Sequence, residues 1–310
     1  MSFENLAQEL AAATPQRESY LTIGVFDGVH LGHQHLISRL VEQAKQADAL
    51  AGVLTFRNNP RTILQPEYSV ASITSLEERN RLIKEAGVDF VVSVTFSTAI
   101  SLLRAEDFVG LLRKHLKMNG LIVGPDFALG HKRQGTPSFL KGLAKQEGFS
   151  FTTTEPLSFN NKQISSTTIR SSIVDGNIET ASDLLGRMYT LEGRVVHGKG
   201  RGGSLLGYPT ANVQSSAELV IPGNGIYATW ALVENRRYQS ATSIGMRPTF
   251  GETERSVETF LLDFNENLYN KDIRLEFVKR LRDEVSFKNP EELQTQIALD
   301  VNQVEKLLKS

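Results

Sequence analysis

Short apolar runs alternate with longer amphipathic segments through the first 186 residues. The apolar runs have the length and composition of buried β-strands, and they read YLTIGVF, AGVLTF, DFVVSVTF, NGLIVG and FSFTTTEPL. Between them, apolar positions recur at helical spacing in QHLISRLVEQAKQAD, in residues 76–86, in AEDFVGLLRKHL and in TPSFLKGLAKQEG. This alternation predicts βαβ units and a mostly parallel, doubly wound α/β sheet, and we assign it to residues 1–186.

The pattern changes after Gly186. The following apolar runs are broken by Gly, Asn and Pro turns with no helical segment between them: YTLEGRVVHG, YPTANV, GIYATWALVE, RYQSATSIG, SVETFLLDF and DIRLEFVKRL. A long amphipathic segment, PEELQTQIALDVNQVEKLLK, then follows, and its apolar stripe is typical of core packing. Residues 187–310 are therefore predicted to form a small antiparallel β-barrel with a C-terminal helix.

The composition narrows the function classes. The 310 residues carry a formal net charge of −1, so no overall field favours nucleic acid or an anionic membrane. The absence of cysteine excludes disulfides, thiol catalysis and Cys-ligated metals. The first residues do not read as a signal peptide, and no apolar run approaches the ~20 residues of a spanning helix. We expect a cytoplasmic protein without nucleic-acid or membrane partners, either a monomer or a weak homo-oligomer.

Candidate chemistry first appears in GVFDGVHLGH, residues 24–33, which joins a predicted strand to a predicted helix. His30 and His33 fall near the first helical turn, where free N–H groups and the helix dipole attract phosphates. Three glycines would allow close backbone approach and tight packing: Gly24, Gly28 and Gly32. The alternative is an ordinary turn, capped by Asp27, with incidental histidines. Three of the six histidines fall within residues 30–35, which argues against that alternative.

The loop resembles the HxGH loop of the nucleotidyltransferase superfamily, in the form found in bacterial bifunctional riboflavin kinase/FAD synthetases. The resemblance implies a nucleotidyltransferase-like (Rossmann-like) domain that attaches the adenylyl group of ATP to FMN, giving FAD and pyrophosphate. It implies catalytic roles for His30 and His33. It also implies ATP binding by neighbouring residues of the loop, namely Gly24, Phe26, Asp27 and Gly28.

Two later segments resemble the same family. In VGPDFALGHKRQGT, the resemblance implies that Asp126 binds the flavin substrate and that Lys132 and Arg133 lie near phosphates. ISSTTIR resembles the ISSTxIR motif, whose ATP-phosphate ligands here would be Ser166, Thr167 and Arg170. Alone, such a Ser/Thr segment is often only a helix cap.

The sequence also departs from the family pattern at two positions. Asn59 precedes Pro60 where the family has histidine, and Thr168 stands where it often has arginine. A lost imidazole or guanidinium would weaken phosphate or flavin binding. These departures bear on the rate of adenylyl transfer more than on its identity.

The segment HGKGRGGSLLGYPTANV holds a formal GxGxxG at Gly198, Gly200 and Gly203. No helix follows to receive a pyrophosphate, so we reject a dinucleotide-binding interpretation. The glycines, with Lys199 and Arg201, form either a flap over phosphates or a plain glycine-rich hairpin loop.

GYPTANV resembles the PTAN signature of the riboflavin kinase barrel. Thr210 and Asn212 are two apart, so on a strand both face one side, and their oxygens suit Mg²⁺ bound with ATP. The resemblance implies phosphate binding by Gly198, Lys199, Gly200, Thr210 and Asn212. It places Glu258 at the position of the catalytic glutamate, where the alternative is a solvent-facing strand residue. Arg282 either contacts the flavin at the pocket rim or is a surface charge.

Together these motifs predict a two-domain enzyme that phosphorylates riboflavin to FMN in the barrel and adenylylates FMN to FAD in the α/β domain. ATP and Mg²⁺ would serve both steps, and riboflavin, FMN and ATP would be the small-molecule partners. One alternative is a riboflavin kinase whose adenylyltransferase is impaired by the changes at Asn59 and Thr168. Another is a non-catalytic flavin- or RNA-binding regulator, although the chain lacks a basic face interleaved with aromatics.

Overall fold

A parallel sheet organises the first half of the chain in the computed structural model, which describes residues 3–67, 69–159, 162–198, 208–248 and 253–309. Among these residues its strands are β1 (Ser19–Ile23), β2 (Leu50–Phe56), β3 (Phe90–Val94), β4 (Met118–Val123) and β5 (Ser150–Thr153). They lie in the order β3-β2-β1-β4-β5, and every pair is parallel. The predicted doubly wound α/β sheet is confirmed.

Helices cover both faces of this sheet: α1 (Phe3–Ala11), α2 (Leu31–Gln46), α3 (Pro60–Leu64), α4 (Leu76–Glu85), α5 (Thr98–Ser101), α6 (Ala105–Leu116) and α7 (Pro137–Glu147). The alternation along β2 explains the two layers, because Val53 packs with α2 and α4 while Leu54 packs with α1, α6 and α7. A two-residue β6 (Ser158–Phe159) and β7 (Lys162–Gln163) form a small hairpin after β5.

The second half begins with two helices, α8 (Ser166–Val174) and α9 (Ile178–Leu185). Its strands are β8 (Tyr189–Val196), β9 (Ala211–Ser215), β10 (Gly225–Val233), β11 (Arg236–Pro248), β12 (Thr253–Leu261) and β13 (Asp272–Arg282). Over the described ranges these strands close into an antiparallel barrel in the order β10-β11-β12-β9-β8-β13. The β10–β11 turn places Glu234 and Asn235 at positive φ, as tight hairpins require. The predicted barrel is confirmed.

The last helix, α10 (Pro290–Leu308), packs on the outside of the barrel. Val304 and Leu308 are buried against Ala228 of β10 and the residue after β12, Leu262. The apolar stripe of this helix is therefore core packing, as predicted. No helix among the described residues combines the length and hydropathy needed to cross a bilayer.

The chain forms two compact units. One comprises Met1–Val70 and Thr74–Ser165, and the other comprises Ala71–Ile73 and Ser166–Ser310. Helices α8 and α9 therefore group with the barrel, whereas the sequence reading assigned them to the first domain. In the second unit, Ser72 pairs with Leu219, and its backbone carbonyl accepts from the Val220 N–H at 2.9 Å.

Candidate active sites

The loop of residues 24–33, here the histidine loop, follows the carboxyl end of the central strand β1. The strand order reverses between β1 and β4, and ligands of open α/β sheets bind at the carboxyl ends of strands at such a point. Asp126 lies in the loop after β4, on the other side of the same point. The topology therefore brings the two sequence-predicted segments to one edge of the sheet.

His30 begins helix α2 as its N-cap. Its Nδ1 accepts a hydrogen bond from the backbone N–H of His33 at 3.3 Å, and the residue is 5% exposed. A neutral imidazole that accepts at Nδ1 carries its proton on Nε2. The cap thus fixes which nitrogen can donate to a ligand. The alternative in which Asp27 caps this helix is wrong, because His30 occupies the N-cap position.

His33 stacks on His30, with the ring centroids 3.6 Å apart and the planes at 16°. Burial holds the pKa of His33 well below 6.5, and the neighbouring His30 and Arg79 lower it further. Its Nδ1 is buried and has no hydrogen-bond partner among the described residues. At neutral pH His33 is therefore an uncharged imidazole.

Thr74 holds the middle of the histidine loop, although it lies 46 residues further along the chain. The Gly28 N–H donates to Thr74 Oγ1 at 3.2 Å, and the Thr74 N–H donates to the Asp27 carboxylate at 3.3 Å. The sequence analysis missed Thr74 because no local pattern links it to the loop.

The backbone of the histidine loop is strained. Phe26 and Val29 have φ of 53° and 39°, and Gly28 has φ of 80°. A positive φ at a β-branched residue such as Val29 costs on the order of 1–3 kcal/mol and persists only where the surroundings hold it. Such outliers gather at functional sites, and of these three residues the sequence analysis named Phe26 and Gly28 but not Val29.

A cavity of about 730 Å³ opens at the carboxyl ends of β1 to β4. Asp126 lines it, as do Lys132 and Arg133, which both have positive φ. Arg133 also donates to the Asp126 carbonyl at 3.3 Å. Much of the remaining wall is apolar and aromatic, and it includes Phe56, Phe96, Phe108 and Phe127. A flat, largely apolar ligand fits such a wall.

Asn59, the departure from the family pattern, also lines this cavity and caps α3. Its Oδ1 accepts from the Arg61 N–H at 3.0 Å. The preceding Asn58 exchanges two hydrogen bonds of 2.9 Å with the backbone of Phe96. Asn59 thus serves the local structure of the wall, and Asn58 ties the end of β2 to the segment after β3.

Ser166, Thr167 and Arg170 lie on α8, in the unit that contains the barrel. The last turn of α8 is fixed to the loop before β10, because the Gly223 N–H donates to the Ile173 carbonyl at 3.0 Å. Thr168 is exposed on this helix. The role of these side chains as ATP ligands stays a prediction.

The second candidate site forms where β9 meets β12. Asn212 lies opposite Glu258 in the antiparallel register, and the Thr210 hydroxyl donates to Glu258 Oε2 at 3.3 Å. Thr210 directly precedes β9 instead of lying on it, yet the alternation holds because Ala211 and Val213 are buried. The structure thus brings together three residues that the sequence places up to 48 positions apart.

Two further features of this site concern phosphate and metal binding. A Cβ on Gly198 would lie 2.3 Å from Asn212 Nδ2, so a larger residue there would displace the Asn212 side chain. Lys199 and Gly200 lie outside the described residues. Thr210 and Asn212, the two predicted metal ligands, carry a hydroxyl and an amide oxygen, which are hard donors of the kind that Mg²⁺ prefers, so their chemistry fits that cation.

A cavity of about 370 Å³ adjoins these residues, between the outer barrel face and the segment that leads into α10. Thr210, Glu258 and Arg282 line it, along with the aromatic side chains of Tyr208, Phe260 and Phe287. The polar groups of the predicted kinase site therefore stand at the edge of an apolar slot.

Arg282 is engaged inside this cavity wall. Its Nε and Nη2 donate to the Asp300 carboxylate at 2.9 and 2.6 Å, and Asp300 is 5% exposed. The surface-charge alternative for Arg282 is therefore wrong, and its contact with flavin stays a prediction. The sequence analysis missed Asp300, because a carboxylate on an amphipathic helix reads as a solvated residue.

Comparisons with known proteins agree with the division of the chain into an α/β half and a barrel half. The FAD synthetase family model matches residues 12–168, and the riboflavin kinase family model matches residues 185–308. The chain is 36% identical over 288 residues to the bifunctional riboflavin kinase/FMN adenylyltransferase of Escherichia coli (strain K12), covering 92% of this chain and 91% of that protein. It is 34% identical over 293 residues to the protein of the same name from Bacillus subtilis (strain 168), covering 92% of this chain and 91% of that protein.

Among solved structures, the chain is similar to one described as a macrolide-efflux protein from Streptococcus pneumoniae. That likeness has a TM-score of 0.88 and 29% identity, and it covers 94% of this chain and 95% of the other. The family matches and the relatives together account for both halves. The chain belongs to the bifunctional riboflavin kinase/FMN adenylyltransferase family.

Proposed function

We propose that this chain makes FAD from riboflavin in two ATP-dependent steps, one in each half. The observation that carries the proposal is the presence of two separate cavities, each lined by residues of a different motif. The larger holds Gly24 and Asp126 at the sheet edge, and the smaller holds Thr210 and Glu258 on the barrel. By function, we assign residues 1–186 to adenylyl transfer and residues 187–310 to riboflavin phosphorylation.

In the barrel, the ribityl 5′-oxygen of riboflavin attacks the γ-phosphorus of ATP. The new O–P bond forms as the bond between the γ-phosphorus and the bridging oxygen breaks, and ADP leaves. Glu258 accepts the proton from the attacking hydroxyl, with its carboxylate oriented by the hydrogen bond from Thr210. Thr210 and Asn212 offer the oxygens that would hold Mg²⁺ beside ATP, where the cation neutralises phosphate charge.

In the first half, a phosphate oxygen of FMN attacks the α-phosphorus of ATP. The bond to the α–β bridging oxygen breaks, pyrophosphate leaves, and FAD is formed. The attacking oxygen is already an anion, so positioning and charge stabilisation carry the step instead of a protein nucleophile. His30, through Nε2–H, and His33 are the groups proposed to contact the phosphates. The first turn of α2 adds backbone N–H groups.

The flavin of FMN would occupy the 730 Å³ cavity, whose aromatic wall suits a flat ring system, with Asp126 and Lys132 among its polar lining residues. Ser166, Thr167 and Arg170 remain the proposed ligands of the ATP phosphates, on the resemblance of ISSTTIR to the family motif. We propose Mg²⁺ for both steps and, because both consume ATP, action in the cytoplasm. The proposed reactions need no nucleic-acid or membrane partner, and we propose that the protein is a monomer or a weak homo-oligomer.

The test is a time course with the full chain, riboflavin, ATP and Mg²⁺, in which riboflavin, FMN and FAD are separated by chromatography. The proposal expects FMN to rise first and FAD to follow at its expense. FMN without FAD, even when FMN is supplied, would favour the alternative of an impaired adenylyltransferase. If neither FMN nor FAD forms, the alternative of a non-catalytic binding protein is favoured, and salt-sensitive RNA binding would then be measured.

A further inference from the structure

A guanidinium lies buried beneath the histidine loop, outside every motif of the sequence analysis. Arg79, on α4, is 6% exposed, and its Nη1 donates to the Val25 carbonyl at 2.7 Å. The Thr55 hydroxyl donates to the same carbonyl at 3.1 Å. Val25 directly precedes the strained stretch of the loop. Arg79 therefore anchors that stretch at its beginning.

The surroundings of Arg79 are electrostatically unusual. Burial lowers the pKa of its guanidinium from the ordinary value, while the carboxylates of Asp27 and Glu77 raise it. Its Nε is buried and has no hydrogen-bond partner among the described residues. A buried charge with an unsatisfied donor costs stability, so this arrangement is not explained by stability alone.

The charge of Arg79 also reaches the stacked histidines. After burial and His30, Arg79 is the third cause that lowers the pKa of His33. A buried cation at this place makes the site favourable to phosphate and discourages a second positive charge on His33.

We propose that Arg79 is a positioning residue for adenylyl transfer, holding the Val25 carbonyl and placing a fixed positive charge beneath the histidine loop. The inference rests on the proposed adenylyl transfer in the first half. Strained backbone persists only where its surroundings over-determine it, and here Arg79 fixes Val25 while Thr74 fixes Gly28 and Asp27. Arg79 acts through the loop, because it does not line the flavin cavity.

The test compares Arg79→Gln, Arg79→Lys and the control Arg81→Gln in the full chain. Gln keeps a donor for Val25 without charge, and Lys keeps the charge without the planar fork. Arg81 lies on the same helix, but its hydrogen bonds go to Glu78 and Glu85 of that helix and not to the loop. With FMN and ATP as substrates, we expect Arg79→Gln to lower kcat roughly 10- to 100-fold, as small misplacements do, with little change in KM for FMN.

In the same experiment, Arg79→Lys recovers part of kcat, and Arg81→Gln matches the wild type. Riboflavin phosphorylation stays unchanged in all three variants and reports the state of the barrel. Thermal unfolding shows whether the first half is still folded in each variant. If the first half of Arg79→Gln fails to fold, the kcat of Arg79→Lys is compared with that of Arg81→Gln. A lower kcat for Arg79→Lys supports the inference, and an equal kcat overturns it.

A second readout separates electrostatic positioning from mere structural support. NMR of histidine-labelled protein follows the His33 titration, and Arg79→Gln should raise the His33 pKa while Arg81→Gln leaves it in place. Turnover of Arg79→Gln equal to that of Arg81→Gln, or an unmoved His33 titration, would overturn the inference. Absence of FAD formation in the wild type would instead refute the proposed function, and the titration would still test the link between Arg79 and His33.

Discussion

The two candidate sites hold their functional groups in opposite ways. The histidine loop is a strained, buried turn at the end of a parallel strand, and side chains from distant parts of the first unit support it. The barrel site sets Thr210, Asn212 and Glu258 on paired antiparallel segments, where ordinary strand alternation aims them to one side. The first site depends on tertiary support, and the second on strand register.

This difference predicts how each site fails when it is altered. In the barrel, removing one functional group leaves the pairing of the backbone intact, so activity is lost without loss of structure. In the histidine loop, His30 caps α2 and is also a proposed phosphate ligand, so activity and stability should change together unless the substitution keeps the cap.

The largest expected effect is in the barrel. Glu258→Gln removes the proposed proton acceptor while keeping size and strand pairing, so we expect riboflavin phosphorylation to fall roughly 10²- to 10⁴-fold. FMN adenylylation, assayed with supplied FMN, should stay unchanged. The matched control is Glu276→Gln, a β13 carboxylate that pairs with Arg237 at 2.7 Å outside the cavity. Full phosphorylation by Glu258→Gln would remove Glu258 from the mechanism.

Next in size is the change at His30. Asparagine is a good N-cap, so His30→Asn keeps an acceptor for the His33 N–H while removing the imidazole. We expect FAD formation from FMN to drop roughly 100-fold with FMN formation unchanged. His30→Ala should lose, in addition, about 1 kcal/mol of unfolding free energy. Thermal unfolding beside the two assays separates capping from catalysis. An active His30→Asn would mean that the cap alone is needed.

A smaller effect is expected where α10 meets the barrel. Asp300→Asn weakens a buried bidentate pair with Arg282, which should cost about 1–3 kcal/mol of unfolding free energy. Because the pair fixes one wall of the cavity, KM for riboflavin should rise more than kcat falls. Urea unfolding and steady-state kinetics measure both quantities. Arg282→Lys, which keeps the charge without the fork, should show a milder form of the same change. A lowered kcat at unchanged KM would contradict this account of the wall.

The smallest effect is a pH dependence of stability in the first half. The folded-state pKa of His33 is depressed, so the unfolded chain binds this proton first as the pH falls. Stability from His33 is complete above about pH 6.5 and declines as the pH drops toward the folded-state value, by up to about 1.4 kcal/mol per pH unit. Urea unfolding at pH 7.5 and pH 5.5 should show a smaller loss in His33→Gln than in the wild type. Equal losses would show that His33 is not buried in its neutral form.

Much of the fold was predictable because it follows periodicity. Strand alternation and the change of pattern after Gly186 led to both architectures. Helix α1 is not among the predicted elements, although its buried Leu6 and Leu10 are four residues apart, because two leucines in nine residues show little periodicity. Helices α3 and α5, of five and four residues, are too short to show a period.

The site residues differ in whether they could be predicted from the sequence. The structure brings Thr210, Asn212 and Glu258 together, and these follow from motif and register. Arg79 and Asp300 could not be found from sequence, since each is a charged residue on an amphipathic helix and reads as solvent-facing. Arg79 is buried and donates to the Val25 carbonyl, 54 residues earlier in the chain. Such partners become visible only when the fold is closed.

The most direct test of two independent sites is to mix two single-site variants. His30→Asn and Glu258→Gln are purified separately, and each is incubated with riboflavin, ATP and Mg²⁺, alone and together, while FAD is followed by chromatography. The account predicts that neither variant alone makes appreciable FAD, and that the mixture makes it after a lag in which FMN accumulates. A mixture that stays without FAD, although the first variant makes FMN and the second converts supplied FMN, would contradict it.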